Sequence, residues 1–76
     1  MAAGYAVVWS GDPPDKCGLP TCGRRIRSIF IDGAVQQGGW MVMCPGCHRI
    51  RSVGIGPRKG HVYERRLTDN RFVCTA

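Results

Sequence analysis

The sequence lacks a long apolar run and a recognisable secretory signal. No stretch approaches the roughly 20 apolar residues that a membrane span needs. Residues 1–10 lack a basic start and carry only a short apolar run, so we expect a protein of the reducing cytoplasm. The chain has only 76 residues, which predicts a single domain over 1–76. A chain of this size buries only about 60% of its unfolded surface, so we expect a cross-link such as a structural metal or disulfides in addition to an apolar core.

Acidic residues are also scarce. Five Asp and Glu stand against eleven Lys and Arg, which gives a formal charge of +6. Nine of the eleven basic residues are arginine, whose guanidinium fork suits bidentate contact with phosphate or carboxylate. This balance favours a polyanionic or acidic partner: nucleic acid (DNA or RNA) or an acidic protein surface. We expect neither a membrane nor a small-molecule substrate as a partner.

The basic residues that we predict to bind this partner are spread over both halves of the chain. If they share one face, Trp40 or Tyr63 is available to stack on bases. The predicted binding residues are Arg24, Arg25, Arg27, Arg49, Arg51, Arg58, Lys59, Arg65 and Arg66.

Two cysteine pairs are the strongest motif. Cys17 and Cys22 form the first pair, and Cys44 and Cys47 form the second. Two tight turns that each supply two sulfurs at about 2.3 Å make a closed tetrahedral zinc site. Such a site has no open position for water or substrate, so we expect one structural Zn²⁺ and no enzymatic activity. Two disulfides, or another metal such as an iron–sulfur cluster, are the alternatives.

Two further residues compete for a role at this site. His48 directly follows the second pair and is an alternative ligand, although we expect it to cap or hydrogen-bond nearby. Cys74 is expected to be a bystander thiol.

The segment between the cysteine pairs predicts a β-hairpin followed by a helix. Residues 24–31 alternate, with Ile26 and Phe30 on one face and Ile29 and Ile31 on the other. The return strand is expected at 40–44, after a long polar loop at 33–39 whose glutamines have no evident packing role. Proline inside the start and glycine past the end predict a short helix after Cys44.

These elements predict a small metal-stabilised α+β domain. Its zinc module, residues 17–53, is expected to be treble-clef-like: a knuckle, a β-hairpin and a short helix that carries the second cysteine pair. If that pair lies instead at the tip of a second hairpin, the fold is a zinc ribbon.

The flanking segments are predicted to cover and extend this module. Within 1–16 we expect a strand at 5–9 and a turn. Its Val7 or Val8 and an aromatic side chain are expected to cover the zinc module; an exposed platform of Tyr5 and Trp9 is the alternative. Within 54–76 we expect a basic loop at 54–60, either solvated or a phosphate-binding nest. A short strand at 62–66 follows, and then a polar tail for which Phe72 and Val73 are the candidate docking residues.

Two motifs resemble known families. Cys44-Pro-Gly-Cys47-His48 resembles the second zinc knuckle of HNH endonucleases, but no Asp-His or His-His pair precedes it to hold a catalytic metal. Gly39-Trp40-Met-Val-Met-Cys44-x-x-Cys47, Val53-Gly-Ile-Gly and Lys59-Gly-x-x-Tyr63-Glu64 resemble very small four-cysteine zinc-finger proteins of bacteriophages and prophages. That resemblance implies that the four paired cysteines are ligands and that the protein is a phage accessory protein in the host cytoplasm.

The leading hypothesis is therefore a non-enzymatic, zinc-stabilised adaptor. We expect it to bind nucleic acid phosphates through its arginine-rich face as a regulator of transcription or DNA processing. A module that docks on a host enzyme through loops 33–40 and 54–60, and inhibits or redirects it, is the first alternative. A virion or assembly component is the second.

Overall fold

The computed structural model describes residues 7–76. Its elements are β1 (Ile29–Ala34), β2 (Trp40–Met43), α1 (Pro45–Arg51), β3 (Gly60–Arg65) and β4 (Phe72–Cys74). The four strands form one antiparallel sheet in the order β2-β1-β3-β4. The predicted α+β class is confirmed.

The two faces of the sheet carry two separate cores. Successive side chains of a strand point to opposite faces, and Phe30 and Ile31 accordingly enter different clusters. Ile31 and Met43 pack with the cysteines on one face. Phe30 packs with Phe72 on the other. The predicted split of the residues before and within β1 into two faces is confirmed.

The hairpin loop is shorter and better anchored than the sequence predicts. β1 continues through Ala34, and only residues 35–39 separate it from β2. Val35 is buried, and its N–H donates to the carbonyl of Gly39 at 3.1 Å. Gly38 and Gly39 have φ of 100° and 95°, a region that favours glycine, and so they allow the chain to turn back.

Helix α1 begins with Pro45 directly after the N-cap residue Cys44 and ends at Arg51. The side chain of Gln36 in the hairpin loop donates to the carbonyls of Ile50 and Ser52, at 3.4 and 3.1 Å. The expectation that the loop glutamines have no packing role is therefore wrong for Gln36. Sequence reading missed this contact because Gln36 lies 14 and 16 residues away from its two partners along the chain.

The N-terminal segment extends the sheet beside β4. The N–H of Trp9 donates to the carbonyl of Phe72 at 2.9 Å, and that of Cys74 donates to Val7 at 2.8 Å. Val8 forms only an isolated bridge, so 7–9 is not a regular strand. The predicted strand at 5–9 lies partly outside the described residues, as does Tyr5 of the alternative platform.

The prediction that this segment covers the cysteine module with an aromatic side chain is wrong for Trp9. Trp9 packs edge-on against Phe30 and Tyr63, with ring centroids 5.1 and 5.2 Å apart, and these contacts lie on the face of the sheet away from the cysteines. Trp9 belongs to the same apolar cluster as Phe30 and Tyr63.

The C-terminal segment is more ordered than a polar tail. The predicted strand at 62–66 is observed as β3, and the chain turns at 66–71 and returns as β4. Phe72 is buried, which confirms that it docks. Arg66 and Asp69 form an ion pair across this turn.

Candidate metal centre

The first knuckle is a tight turn held against the sheet. The N–H of Cys22 donates to the carbonyl of Leu19 at 3.0 Å, and the N–H of Gly18 donates to Val42 of β2 at 2.8 Å. A Cβ at Gly18 would lie 3.0 Å from the Val42 carbonyl oxygen, so the close approach favours glycine there. This contact fixes the first cysteine pair beside β2, the strand that leads into the second.

The second pair is placed by the start of α1. Cys44 is its N-cap residue and Cys47 lies in its first turn, while the N–H of His48 donates to the carbonyl of Cys44 at 2.9 Å. The pair is therefore not at the tip of a second hairpin, which was the condition for a zinc ribbon.

The four sulfurs lie where a metal ion requires them. The Sγ atoms of Cys17, Cys22, Cys44 and Cys47 are all within 4.8 Å of one another, and those of Cys22 and Cys44 are 3.8 Å apart. A regular tetrahedron with metal–sulfur bonds of about 2.3 Å has edges of about 3.8 Å. All four are free thiols, so the structure does not form the alternative disulfides. The residues fit a four-coordinate metal ion.

The environment of the sulfurs differs from one to the next. The N–H of Arg24 donates to Cys22 Sγ at 3.4 Å, and this hydrogen bond lowers the pKa of the Cys22 thiol to about 7. Burial raises the pKa of the Cys17 and Cys47 thiols. The Cys22 thiol is thus deprotonated more easily near neutral pH than the thiols of Cys17 and Cys47.

The two competing residues lie outside the four-sulfur cluster. His48 Nε2 is buried and has no hydrogen-bond partner within residues 7–76, so the expected side-chain hydrogen bond is not formed there. Cys74 lies in β4, and its thiol contacts the carbonyl of Ala76 at 3.4 Å.

Three predicted binding residues come together beside the metal centre. Arg24, Arg25 and Arg27 line an open groove of about 540 Å³, the arginine groove, which also includes Cys44 and Pro45. All three arginines are exposed. Their position follows from the knuckle, which ends immediately before them.

Sequence reading missed the position of Lys16 beside Arg25, one of the groove residues. Lys16 and Arg25 are bridged in an antiparallel pair, so the ends of the knuckle bring their basic residues together. The signal was present, because a tight turn between Cys17 and Cys22 requires its two flanks to meet.

Arg49 and Arg51 are exposed on α1. Arg51 lines a second groove of about 460 Å³ together with Arg24, Cys22 and Cys47. The helix thus brings one of its arginines to the edge of the metal centre.

The remaining predicted binding residues either lie far from the arginine groove or already bind other groups of the protein. Arg58 and Lys59 lie at the far end of β1, a strand about 20 Å long, where the Lys59 carbonyl accepts from Ala34 at 2.8 Å. Arg65 donates to the carbonyl of Arg27 at 3.0 and 2.7 Å. Arg66 pairs with Asp69. A single face formed by all nine residues stays a prediction.

The phosphate nest in loop 54–60 is not formed. The N–H groups of Gly56, Lys59 and Gly60 donate to carbonyls within this loop, at 2.9 to 3.0 Å. Backbone donors already satisfied in this way cannot cradle an anion, which favours the alternative of a solvated connecting loop.

Of the two residues predicted to stack on bases, Trp40 is exposed, whereas Tyr63 already stacks on another ring of the protein. The ring of Tyr63 is stacked on Phe30 at 5.1 Å with an interplanar angle of 11°. Trp40 is 48% exposed.

Comparison of the chain with models of protein families, with curated proteins and with solved structures finds no match in any of the three. The resemblance to phage zinc-finger proteins and the cytoplasmic location stay predictions. Within residues 7–76, no helix has the length and apolarity to cross a membrane.

Proposed function

We propose that the chain is a treble-clef-like zinc domain with no enzymatic activity, which binds the phosphate backbone of nucleic acids through the arginine groove. The order knuckle, hairpin, helix supports the treble-clef assignment, because Cys44 and Cys47 lie at the start of α1. A donor set of four thiolates favours zinc among the common divalent ions. Four protein ligands leave no open coordination position, which supports a structural role for the metal.

The observation that carries the proposal is the state of the groove arginines. Within residues 7–76, no carboxylate forms an ion pair with Arg24, Arg25 or Arg27, whereas Arg66 does have such a partner. Arg24 contacts the sulfur of Cys22 through its backbone N–H, so its exposed guanidinium is not used there. Unpaired guanidinium groups beside one another are suited to bind successive phosphates.

Binding assays with matched arginine variants test this function. We expect labelled DNA and RNA to bind at about 50 mM salt and to weaken strongly at about 200 mM, because each phosphate contact releases counterions. Arg24→Gln, Arg25→Gln and Arg27→Gln should each reduce the salt slope by about 0.7 to 0.9. Arg71→Gln, at an exposed site outside the groove, is the charge-matched control and should reduce it less.

Absence of binding to duplex DNA, single strands and RNA at low salt would reject the proposal. Equal losses for the groove variants and the Arg71→Gln control would show that net charge, and not the groove, attracts the nucleic acid.

Exposed apolar side chains favour a second candidate function, docking on an acidic protein surface. Ile50, Val53 and Ile55 are 69%, 46% and 37% exposed, and they follow one another from the end of α1 into the next loop. Exposed apolar side chains close in sequence to arginines are typical of a protein interface. Co-purification of one defined protein from nuclease-treated lysate, abolished by Ile50→Asp but not by Arg25→Gln, would favour this function over the first.

A further inference from the structure

The far end of the aromatic face of the sheet is open. Near the start of β1 this face is filled by a cluster of Trp9, Phe30, Tyr63 and Phe72. Near the end of β1 it carries Trp40, which the register places opposite Ala34. Trp40 is thus the one aromatic side chain of residues 7–76 that lies outside the cluster.

The ring of Trp40 is both exposed and held. Its indole N–H donates to Asp32 Oδ1 at 2.8 Å, which fixes the ring by its polar edge. The preceding residues Gly38 and Gly39 have no side chains to cover it, and a Cβ at either would meet nothing within 4 Å. An indole fixed in this way offers a binding surface at little cost in side-chain entropy.

Two basic residues lie at the same end of the sheet as this ring. The N–H of Ala34 donates to the carbonyl of Lys59, so β1 separates Trp40 from the basic pair Arg58 and Lys59 by two strand spacings, about 10 Å between backbones. Both basic residues are exposed. An aromatic surface beside cations suits a ligand that has flat rings joined by anionic groups.

We propose that Trp40 is a base-stacking platform and that the preferred ligand is single-stranded nucleic acid; this inference rests on the proposed function and names its substrate class. The faces of bases within a duplex are covered by their neighbours, whereas those of a single strand are free to stack. Asp32 acts as a positioning residue, because it orients the indole without contacting the ligand.

Fluorescence anisotropy with a labelled oligothymidylate of about 15 nucleotides, and with a duplex of the same length, tests the proposal. Trp40→Ala is expected to weaken binding of the single strand about tenfold, within the range typical of one stacked base. Trp40→Phe keeps a ring but loses the hydrogen bond to Asp32, so it should weaken binding several-fold, less than Trp40→Ala does. Neither variant should change duplex affinity by more than about twofold, since duplex binding depends on phosphate contacts. Leu67→Ala, which removes a side chain that is 89% exposed elsewhere, is the matched control and should change nothing.

Asp32 variants separate positioning from simple electrostatics. If charge alone mattered, Asp32→Ala would tighten binding, because it removes a negative group. Positioning predicts the reverse: Asp32→Ala weakens single-strand binding several-fold, and Asp32→Asn restores it, since its amide oxygen still accepts from the indole. Circular dichroism of both variants checks that the fold is retained.

Intrinsic fluorescence provides a second readout. Trp9 and Trp40 are the two tryptophans of the chain, and the single strand is expected to quench the wild type but not Trp40→Phe. Single-strand affinity unchanged by Trp40→Ala, or wild-type binding without quenching, overturns this inference and leaves the groove proposal intact. If the protein binds no nucleic acid, both the groove proposal and the stacking proposal are rejected. This holds even if Trp40 proves to be needed for binding a protein.

Discussion

At the scale of the residue, Gly33 shows how closely two strands approach. A Cβ at Gly33 would lie 2.7 Å from the carbonyl oxygen of Lys59 and 2.9 Å from Gly60 Cα, both backbone atoms that cannot swing aside. Gly33→Ala is therefore expected to reduce the free energy of unfolding by about 1–3 kcal/mol, as is typical of overpacking. Urea denaturation of the zinc-loaded protein measures it.

Gly46→Ala is the matched control for that substitution. Gly46 lies in α1, and a Cβ there would meet nothing within 4 Å. Alanine is favoured over glycine in helices by about 0.5–1 kcal/mol, so this variant should be equally stable or more stable. Equal destabilisation by the two substitutions would contradict the crowding at Gly33.

At the scale of the element, Gln36 joins the hairpin loop to the end of α1. Its side chain donates to two carbonyls that the helix itself leaves without partners. Gln36→Ala should reduce the free energy of unfolding by about 1 kcal/mol. It should also speed amide hydrogen exchange in α1 and the residues after it.

The adjacent Gln37 gives the control, since it is exposed and its side chain forms no hydrogen bond within the described part of the chain. Gln37→Ala is expected to change stability by less than about 0.5 kcal/mol. If exchange in α1 responds equally to both substitutions, the contact between loop and helix does not hold in solution.

At the scale of the whole molecule, the metal centre connects the knuckle, β2 and α1. One of the two cores consists largely of the cysteines and the side chains packed on them. Metal binding in small zinc domains supplies about 10–16 kcal/mol of apparent folding free energy. Removal of the metal ion, zinc in our proposal, by a chelator is therefore expected to unfold the chain, with circular dichroism and metal release changing together. Cys17→Ser should prevent folding, whereas Cys74→Ser should retain both the metal and the fold.

The same centre predicts a dependence on pH. Zinc displaces a proton from each thiol, so its affinity falls as the pH falls. Cys22, whose pKa is about 7, is already partly deprotonated near neutrality, whereas burial raises the pKa of Cys17 and Cys47. Titration from about pH 7.5 to about pH 5 should release zinc steeply. Protein that stays cooperatively folded after its zinc is lost would contradict the central role of the metal.

The sequence predicted what depends on short spacing. The cysteine pairs, the alternation before Phe30 and the proline after Cys44 are local patterns, and the structure confirms the clustering of the four cysteines, the two faces of β1 and the position of α1. Arg24 and Arg25 lie beside the cluster because they follow the knuckle closely, which allows them little freedom.

What the sequence did not predict depends on contacts between distant segments. The aromatic cluster that takes up Trp9 and Tyr63 forms only when β3 pairs with β1. Asp32-Gly33 has a strong local preference for a turn, yet pairing on both sides keeps it within β1. Local preference was overridden there by tertiary pairing.

The anchoring of Gly18 to Val42 has a consequence for colloidal behaviour. β2 is an outer strand of the sheet, and this knuckle contact occupies the middle of its free edge, while residues 7–9 lie along the edge of β4. When both edges of a sheet are covered, neighbouring molecules cannot add strands to it, and this protects against fibrillar assembly. Since the cysteine centre keeps the knuckle in place, loss of the metal ion should leave the residues of β2 uncovered as the chain unfolds, and the tendency of the metal-depleted protein to aggregate should rise with protein concentration.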